Sequence, residues 1–348
     1  MSKLRVVVPT PLSTELCELI EKLEPRVEVH IEPSLLPPTM YPGDHIGDPS
    51  FRRTAQQQAS FERLVDSAQA LYGVPAQSSA ELNRTANANP RLQWVHSTPA
   101  GGGAQVKAAR LNAEQLHRIA FSTSAGVHAE PLAEFVAFGV LAGAKTLPKL
   151  EHIRAERIWP GRWFMGRVRG GTAVVVGLGS IGRASAAKLN ALGMHVVGVH
   201  RHQSPVEGVE RIVPVEQLAN VVADADVIVM TLPGTALTHH MLNAEILAKA
   251  KVGVTVVNVG RGDTIDENAL IAALDDGRVG FAALDVFESE PLAPDAAIYD
   301  APNVLISPHT AALDPGEERA IAELFAENAT RLLDHRELIN RVNTVEFY

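Results

Sequence analysis

A single cysteine, Cys17, occurs in 348 residues. That excludes an internal disulfide and a thiolate-bound metal cluster, and it fits a reducing compartment. No stretch approaches the roughly 18 consecutive apolar residues that a membrane-spanning helix needs. The longest candidate, Phe135 to Ala144, directly follows Glu134. Met1-Ser2-Lys3-Leu4-Arg5 passes at once into the strand-like Val6-Val7-Val8, with no space for a signal peptide's apolar region and cleavage site. An excess of positive charge is also missing. Lys and Arg number 31 against 40 Asp and Glu, a formal net charge of −9, which suits neither non-specific nucleic-acid binding nor an anionic membrane. The expectation is a cytoplasmic protein without nucleic-acid or membrane partners. There is no internal repeat or low-complexity tail.

What is present is ordinary for a folded chain. Hydrophobic residues make up 46% and charged residues 20%, too apolar for disorder, and the length predicts two domains at about 150 residues each. Strand-like and helix-like segments alternate, as parallel sheets with helical crossovers require. In the first half, strands are expected at Arg5 to Val8, Val27 to Ile31, Ala70 to Val74 and Leu92 to His96. Helices are expected at Ser13 to Leu23, Thr54 to Ser67 and Ser79 to Ala88. Between them, Glu32 to Ser50 holds Pro33, Pro37, Pro38, Pro42 and Pro49 and reads as a solvated loop, long for such a fold. A helical region, Pro131 to Ile158, precedes a second unit. Its six strands are expected at Thr172 to Val176, His195 to His200, Asp226 to Thr231, Val254 to Asn258, Phe281 to Leu284 and Val304 to Ile306. A final helix is expected at Pro315 to Asp334. The second unit reads as a doubly wound nucleotide-binding sheet.

The first strand of that unit runs into Gly177-Leu178-Gly179-Ser180-Ile181-Gly182, which opens a helix. Alone, GxGxxG is common in turns; here the strand before it and the helix after it are both present. Gly177 permits the tight turn, Gly179 lets backbone approach a pyrophosphate, and Gly182 lets helix and strand pack closely. The N–H groups of Ser180 and Ile181 would face the anion, helped by the helix dipole. The next strand ends in His200-Arg201-His202, without the acid that would bind an adenine ribose 2′-hydroxyl. A guanidinium pairs with a 2′-phosphate, so NADP is favoured over NAD. A merely solvated Arg201, with either cofactor accepted, is the alternative.

Three polar residues follow later strands, where open α/β sheets place their ligands. Arg261 lies between Gly260 and Gly262, Glu290 precedes Pro291, and His309 follows Ser307-Pro308. Hydride transfer to a 2-oxo acid builds negative charge on the C2 oxygen and needs a proton there. Arg261 would clamp the carboxylate and polarise the carbonyl. His309 would donate the proton, and Glu290 would favour the protonated ring and orient it. Thirteen histidines occur in the chain, and His117, His128, His152, His195, His239 and His240 are by default structural or solvated.

With these residues in place, the sequence resembles the D-isomer-specific 2-hydroxyacid dehydrogenases. The likeness runs in five ordered blocks: the glycine loop, Thr231 to Thr235, Val257 to Leu270, Ala283 to Leu292 and Pro302 to His309. It implies two Rossmann-like doubly wound α/β domains. A dinucleotide-binding domain, 122–312, would be inserted into a discontinuous flavodoxin-like substrate domain, 1–121 plus 313–348. Hinges would lie near Phe121 to Gly126 and His309 to Asp314. Arg261, Glu290 and His309 fall on the family's catalytic positions. Backbone contacts to cofactor would come from Ser180, Ile181, Leu232, Val259 and Gly260, and Asp285 would bond the nicotinamide carboxamide. Ala100 and Gly101 would hold the substrate carboxylate. The helix from Pro131 would form part of a homodimer interface.

The chain departs from the family pattern in three places. His200 replaces the aspartate of NAD-preferring members, Gly103 replaces a usual aspartate of the substrate loop, and Glu32 to Ser50 is an insertion. Tyr41 and His45 in it, and Phe51, Arg52 and Arg53 just after it, are in reach of the cleft or a partner subunit on one reading, whereas the favoured reading is a solvated loop. The function implied is an oxidoreductase transferring hydride between NADP(H) or NAD(H) and a small 2-oxo or D-2-hydroxy acid, such as glyoxylate or hydroxypyruvate. The alternative is a dinucleotide-sensing, corepressor-like binding protein of the same fold. A phosphoglycerate-type enzyme would want basic residues near Ala100, and Ser97 to Gly103 holds none.

Overall fold

The computed structural model describes residues 3–41, 43–345 and 347; Met1, Ser2 and Pro42 of the segments discussed above lie outside them. The chain divides into two compact units, Met1–His128 with Leu313–Tyr348, and Ala129–Ala312.

In the first unit five strands form one parallel sheet: β1 (Leu4–Val7), β2 (Val27–His30), β3 (Ala70–Tyr72), β4 (Trp94–Ser97) and β5 (Ala120–Thr123). Their spatial order is β2-β1-β3-β4-β5, the flavodoxin-like order. Sequence patterning omits β5 and the two short helices before it, Gly103–Ala108 and Ala113–Arg118. Expected helices start where side chains cap them. Ser13 accepts from Leu16 N–H, and Thr54 and Gln57 form a reciprocal capping box. The C-terminal helix Glu317–Leu333 belongs to this unit because Phe325 stacks on Trp94, 4.4 Å between ring centroids, and meets Tyr72 edge-on.

The proline-rich stretch is a loop, as expected, apart from a short turn at Pro33–Leu35 and with much of its described length exposed, but it is anchored. Leu35, Leu36 and Asp44 are buried, and Asp44 accepts from the N–H groups of Met40, Ile46 and Gly47. Arg53 lies 3.8 Å over the Phe61 ring and donates to Leu35 O, while Arg52 turns back to Pro49 O and Phe51 O. Leu35 and Leu36, placed between the prolines, pin the stretch onto the first unit's core beside Phe61 and Val65, and both arginines bond its backbone.

His96, on β4, is fully buried between the hydroxyls of Ser122 (2.9 Å) and Ser124 (3.1 Å). Burial first, then the neighbouring His45, pushes its imidazole down to about 3. The unfolded chain therefore binds a proton at His96 below its ordinary range while the folded chain does not, so stability falls as pH drops from 6.5 towards 3. Between pH 7 and 5 this one group removes about 2 kcal/mol. Urea midpoints at the two pH values should lie closer together in His96→Gln than in wild type; an unchanged gap would contradict the assignment.

The second unit holds seven parallel strands: β6 (Thr172–Val176), β7 (His195–Val199), β8 (Arg211–Val213), β9 (Val227–Met230), β10 (Val254–Asn258), β11 (Val279–Leu284) and β12 (Val304–Ile306). The order is β12-β11-β10-β9-β6-β7-β8, so the chain reverses direction across the sheet between β6 and β9, where such sheets bind ligands. β8, the one strand missing from the sequence reading, is a three-residue edge strand. The helical region expected at Pro131 to Ile158 is two helices, Ala129–Ala144 and Leu147–Glu156, separated where Thr146 turns left-handed (φ 53°). Pro148 accounts for the break. It lacks an N–H and clashes with a continuing helix, but it fits the first turn of a new one.

Candidate active site

Every sequence-identified residue of the second unit lies at or just beyond the C-terminal ends of its strands. After β6, Gly177 has φ +100° and Thr231 Oγ lies only 2.9 Å from where its Cβ would be. A Cβ on Gly182 would stand 1.9 Å from Gly177 O, so helix and turn are in direct backbone contact there. Around Gly179 the space is open. Gly179 is the N-cap of helix Ser180–Ala191, and no side chain caps that helix. A cradle with free N–H groups at Ser180 and Ile181 and no obstructing Cβ fits a pyrophosphate. Thr231, at the end of β9, braces the cradle by donating to Gly177 O (2.8 Å). Leu232 follows it, and Gly260 presses on its backbone: a Cβ there would lie 2.5 Å from Leu232 O. Val259 is buried beneath them.

At the end of β7, His200 accepts from Leu178 N–H through Nδ1 (3.4 Å). Burial, then the positive charges of His202, Arg183 and Arg201, hold its imidazole below the ordinary range. Arg201 is exposed beside it.

Arg261 leaves β10 on a turn that Asn258 brackets from beneath. The buried amide of Asn258 donates to Arg261 O (3.1 Å) and accepts from Gly260 N–H (3.0 Å). Thr264 also donates to Arg261 O, at 2.6 Å. The guanidinium is exposed, with Nη1 donating to Gly260 O at 2.7 Å. Gly262 abuts the segment after β11 so closely that a Cβ would lie 1.8 Å from the Phe287 carbonyl carbon. Phe287 N–H in turn donates to Glu290 Oε1 (2.9 Å), and Glu290 Oε2 lies 2.6 Å from His309 Nδ1. A carboxylate only accepts, so Nδ1 carries the proton of that bond. Arg261, Glu290 and His309, 48 residues apart end to end in sequence, are thus joined through one continuous run of contacts.

Asp285 does more than sequence reasoning assigned to it. Buried at 1% exposure, its Oδ1 accepts from Ser307 Oγ (2.6 Å) and from the N–H groups of Thr310 and Ala311 (3.0 Å each). It therefore grips the loop on both sides of His309, which itself has φ 54°, a conformation that a non-glycine residue holds only when its surroundings fix it. Asn258 and Asp285 both fall inside the blocks of family likeness, but these positioning contacts are not visible in sequence, because the groups they bond are brought near only by the folded turns.

Ala100 and Gly101 belong to the first unit, where they are exposed in the turn after β4. Gly102 is required there, since a Cβ would stand 2.2 Å from Ser97 Oγ. Gly103, where the family usually has an aspartate, is buried at the start of its helix. No helix among the described residues is long and apolar enough to cross a membrane.

A two-sheet parallel α/β chain with an open glycine cradle and an adjoining Arg–Glu–His set is that of a dinucleotide-dependent oxidoreductase. The chain belongs to the D-isomer-specific 2-hydroxyacid dehydrogenase family: the profile described as "D-isomer specific 2-hydroxyacid dehydrogenase, NAD binding domain" matches residues 138–311. It is 30% identical over 252 residues to a glyoxylate reductase of Thermococcus kodakarensis, covering 70% of this chain and 74% of that protein. It is 32% identical over 234 residues to a D-3-phosphoglycerate dehydrogenase of Archaeoglobus fulgidus, covering 67% of this chain but 44% of that longer protein. A solved D-isomer specific 2-hydroxyacid dehydrogenase from Xanthobacter autotrophicus Py2, in complex with NADPH and MES, matches the whole of both chains at 28% identity and a TM-score of 0.75. These likenesses make the protein an NAD(P)-dependent oxidoreductase and favour the enzyme over the corepressor reading.

Proposed function

We propose that the protein reduces a small 2-oxo acid, such as glyoxylate or hydroxypyruvate, to the D-2-hydroxy acid, with NADPH favoured over NADH. The observation that carries this reading is the 2.6 Å His309–Glu290 bond, set on the strand edge that also presents Arg261 and the glycine cradle. The bound dinucleotide would supply the hydride. Gly177, Gly179, Gly182 and the N–H groups of Ser180 and Ile181 would hold its pyrophosphate, with Leu232, Val259 and Gly260 along its path and Asp285 at the carboxamide. Arg261 would bind the substrate carboxylate and carbonyl oxygen, and its fixed charge would stabilise the oxygen as it turns negative. His309, held by Glu290 at Nδ1, would give that oxygen a proton from Nε2. Ala100 and Gly101 of the first unit keep the substrate-loop role that the family resemblance gives them. We read Ala129–Ala312 as the cofactor domain and the other unit as the substrate domain.

NADPH is favoured because His200 and Arg201 stand where a carboxylate would repel a 2′-phosphate. A homodimer is supported by residues 145–169, which carry seven Lys and Arg against Glu151 and Glu156 in a chain of net charge −9. Trp159 and Phe164 are fully exposed in that segment, and Ile158 and Met165 are also open to solvent. A second, acidic copy of the chain suits such a surface. The single, buried Cys17 suits a cytoplasmic location. Consumption of NADPH and of NADH with a panel of 2-oxo acids tests the assignment. Turnover of glyoxylate or hydroxypyruvate with a kcat/KM higher for NADPH is expected; no turnover with any 2-oxo acid would overturn it.

A further inference from the structure

Leu178, the residue between the first two glycines of the phosphate cradle, is held on both of its backbone groups. Its N–H donates to His200 Nδ1 (3.4 Å), and its carbonyl accepts from Arg183 Nε (2.9 Å). His200 ends β7, whereas Arg183 lies in the first turn of helix Ser180–Ala191. One turn of backbone therefore brings an imidazole and a guanidinium to the same place from two different elements. The electrostatics agree with the geometry: the charges of His202, Arg183 and Arg201 all act on the half-buried His200 ring. His202 stands beside it, 5.8 Å between ring centroids.

Arg183 and Arg201 both act on this one ring, which accepts at Nδ1 and is held below its ordinary range, and two guanidiniums brought to one imidazole are unfavourable together without an anion. Among the described residues, no carboxylate forms an ion pair with Arg183. Its side chain is exposed, and the one hydrogen bond it makes among the described residues, through Nε, leaves both terminal nitrogens of the guanidinium to donate elsewhere. The Nε tether fixes the plane of the group, so little freedom is lost when an anion binds. A phosphate monoester, with its charge near −2 and three acceptor oxygens, matches a guanidinium fork of this kind.

We propose that Arg183 is a cofactor-selectivity residue, which joins Arg201 in binding the 2′-phosphate of NADPH. The inference rests on the NADPH preference proposed above and adds a determinant from the glycine-loop helix to the one expected after β7. A carboxylate-bearing β7 terminus would discriminate through that terminus alone; here part of the discrimination lies on the helix.

The test is equilibrium binding, read by the fluorescence of the reduced nicotinamide, which needs no turnover. NADPH and NADH are titrated against wild type, Arg183→Gln and Arg183→Lys. Glutamine removes the charge while its amide N–H can still reach Leu178 O; lysine keeps the charge without the fork. The ratio of NADPH to NADH affinity should fall roughly 10–100-fold in Arg183→Gln, as expected for a lost charged hydrogen bond, and less in Arg183→Lys. Equal weakening of both cofactors in Arg183→Gln would mean that the residue only braces Leu178, and would overturn the proposal. So would an unchanged ratio in a protein whose wild type prefers NADPH. A wild type without that preference would overturn the NADPH reading and this inference together, which keeps the two failures distinct.

Discussion

Alanine in place of His309 is expected to lower kcat roughly 10²–10⁴-fold, the range for removing a positioned general acid, while NADPH still binds. The reason is local. Among the described residues, His309 is the only side chain that Glu290 Oε2 engages, at 2.6 Å, and the loop carrying it is clamped by Asp285 on both sides. Removing the ring leaves that clamp intact, so the loss should fall on chemistry and not on folding. Steady-state kinetics with a fluorescence titration of cofactor separates the two. Near-normal turnover in the variant would refute the role given to His309.

A second large effect is expected from a single methyl group. Gly262→Ala places a Cβ 1.8 Å from the Phe287 carbonyl carbon and 2.0 Å from its oxygen. Both partners are backbone, so no rotamer change relieves the overlap, and the turn carrying Arg261 must move away from the segment carrying Glu290. A displacement of about 1 Å in a catalytic group lowers rate by the order of 10²-fold. kcat/KM should fall by at least that much, and the thermal midpoint should fall with it, because overpacking costs about 1–3 kcal/mol. Gly179→Ala is the informative contrast, since nothing within 4 Å meets a Cβ there in the protein alone. Activity of Gly262→Ala within about twofold of wild type would contradict the close contact on which the assembly of the site depends.

Much of the second unit was legible before any coordinates, and the physics explains why. Buried parallel strands such as Val174-Val175-Val176 and Val254-Thr255-Val256-Val257 read as apolar runs because both of their faces are covered. The glycines around Arg261 are dictated by backbone contacts that tolerate no side chain. Short elements escaped. β8 is a three-residue edge strand, too brief to show a period, and helix Ala113–Arg118 carries only its capping box, Asn112 with Gln115, as a signal. The proline-rich stretch is the loop that its prolines mark, but its anchoring was not legible, because the burial of Leu35, Leu36 and Asp44 depends on tertiary neighbours. In the site, charged and polar side chains at strand ends were visible in sequence. The bracing contacts of Asn258, Asp285 and Arg183 are made to atoms that only folding brings close, so those were not.

The most direct test of the whole account is the handedness of the product formed from hydroxypyruvate and NADPH. In the proposed arrangement Arg261 fixes the carboxylate and His309 delivers the proton from one side, so a single face of the carbonyl meets the hydride, and the D-specificity of the family makes the expected glycerate the D-isomer alone. Racemic or L-glycerate, or no oxidation of NADPH, would contradict it.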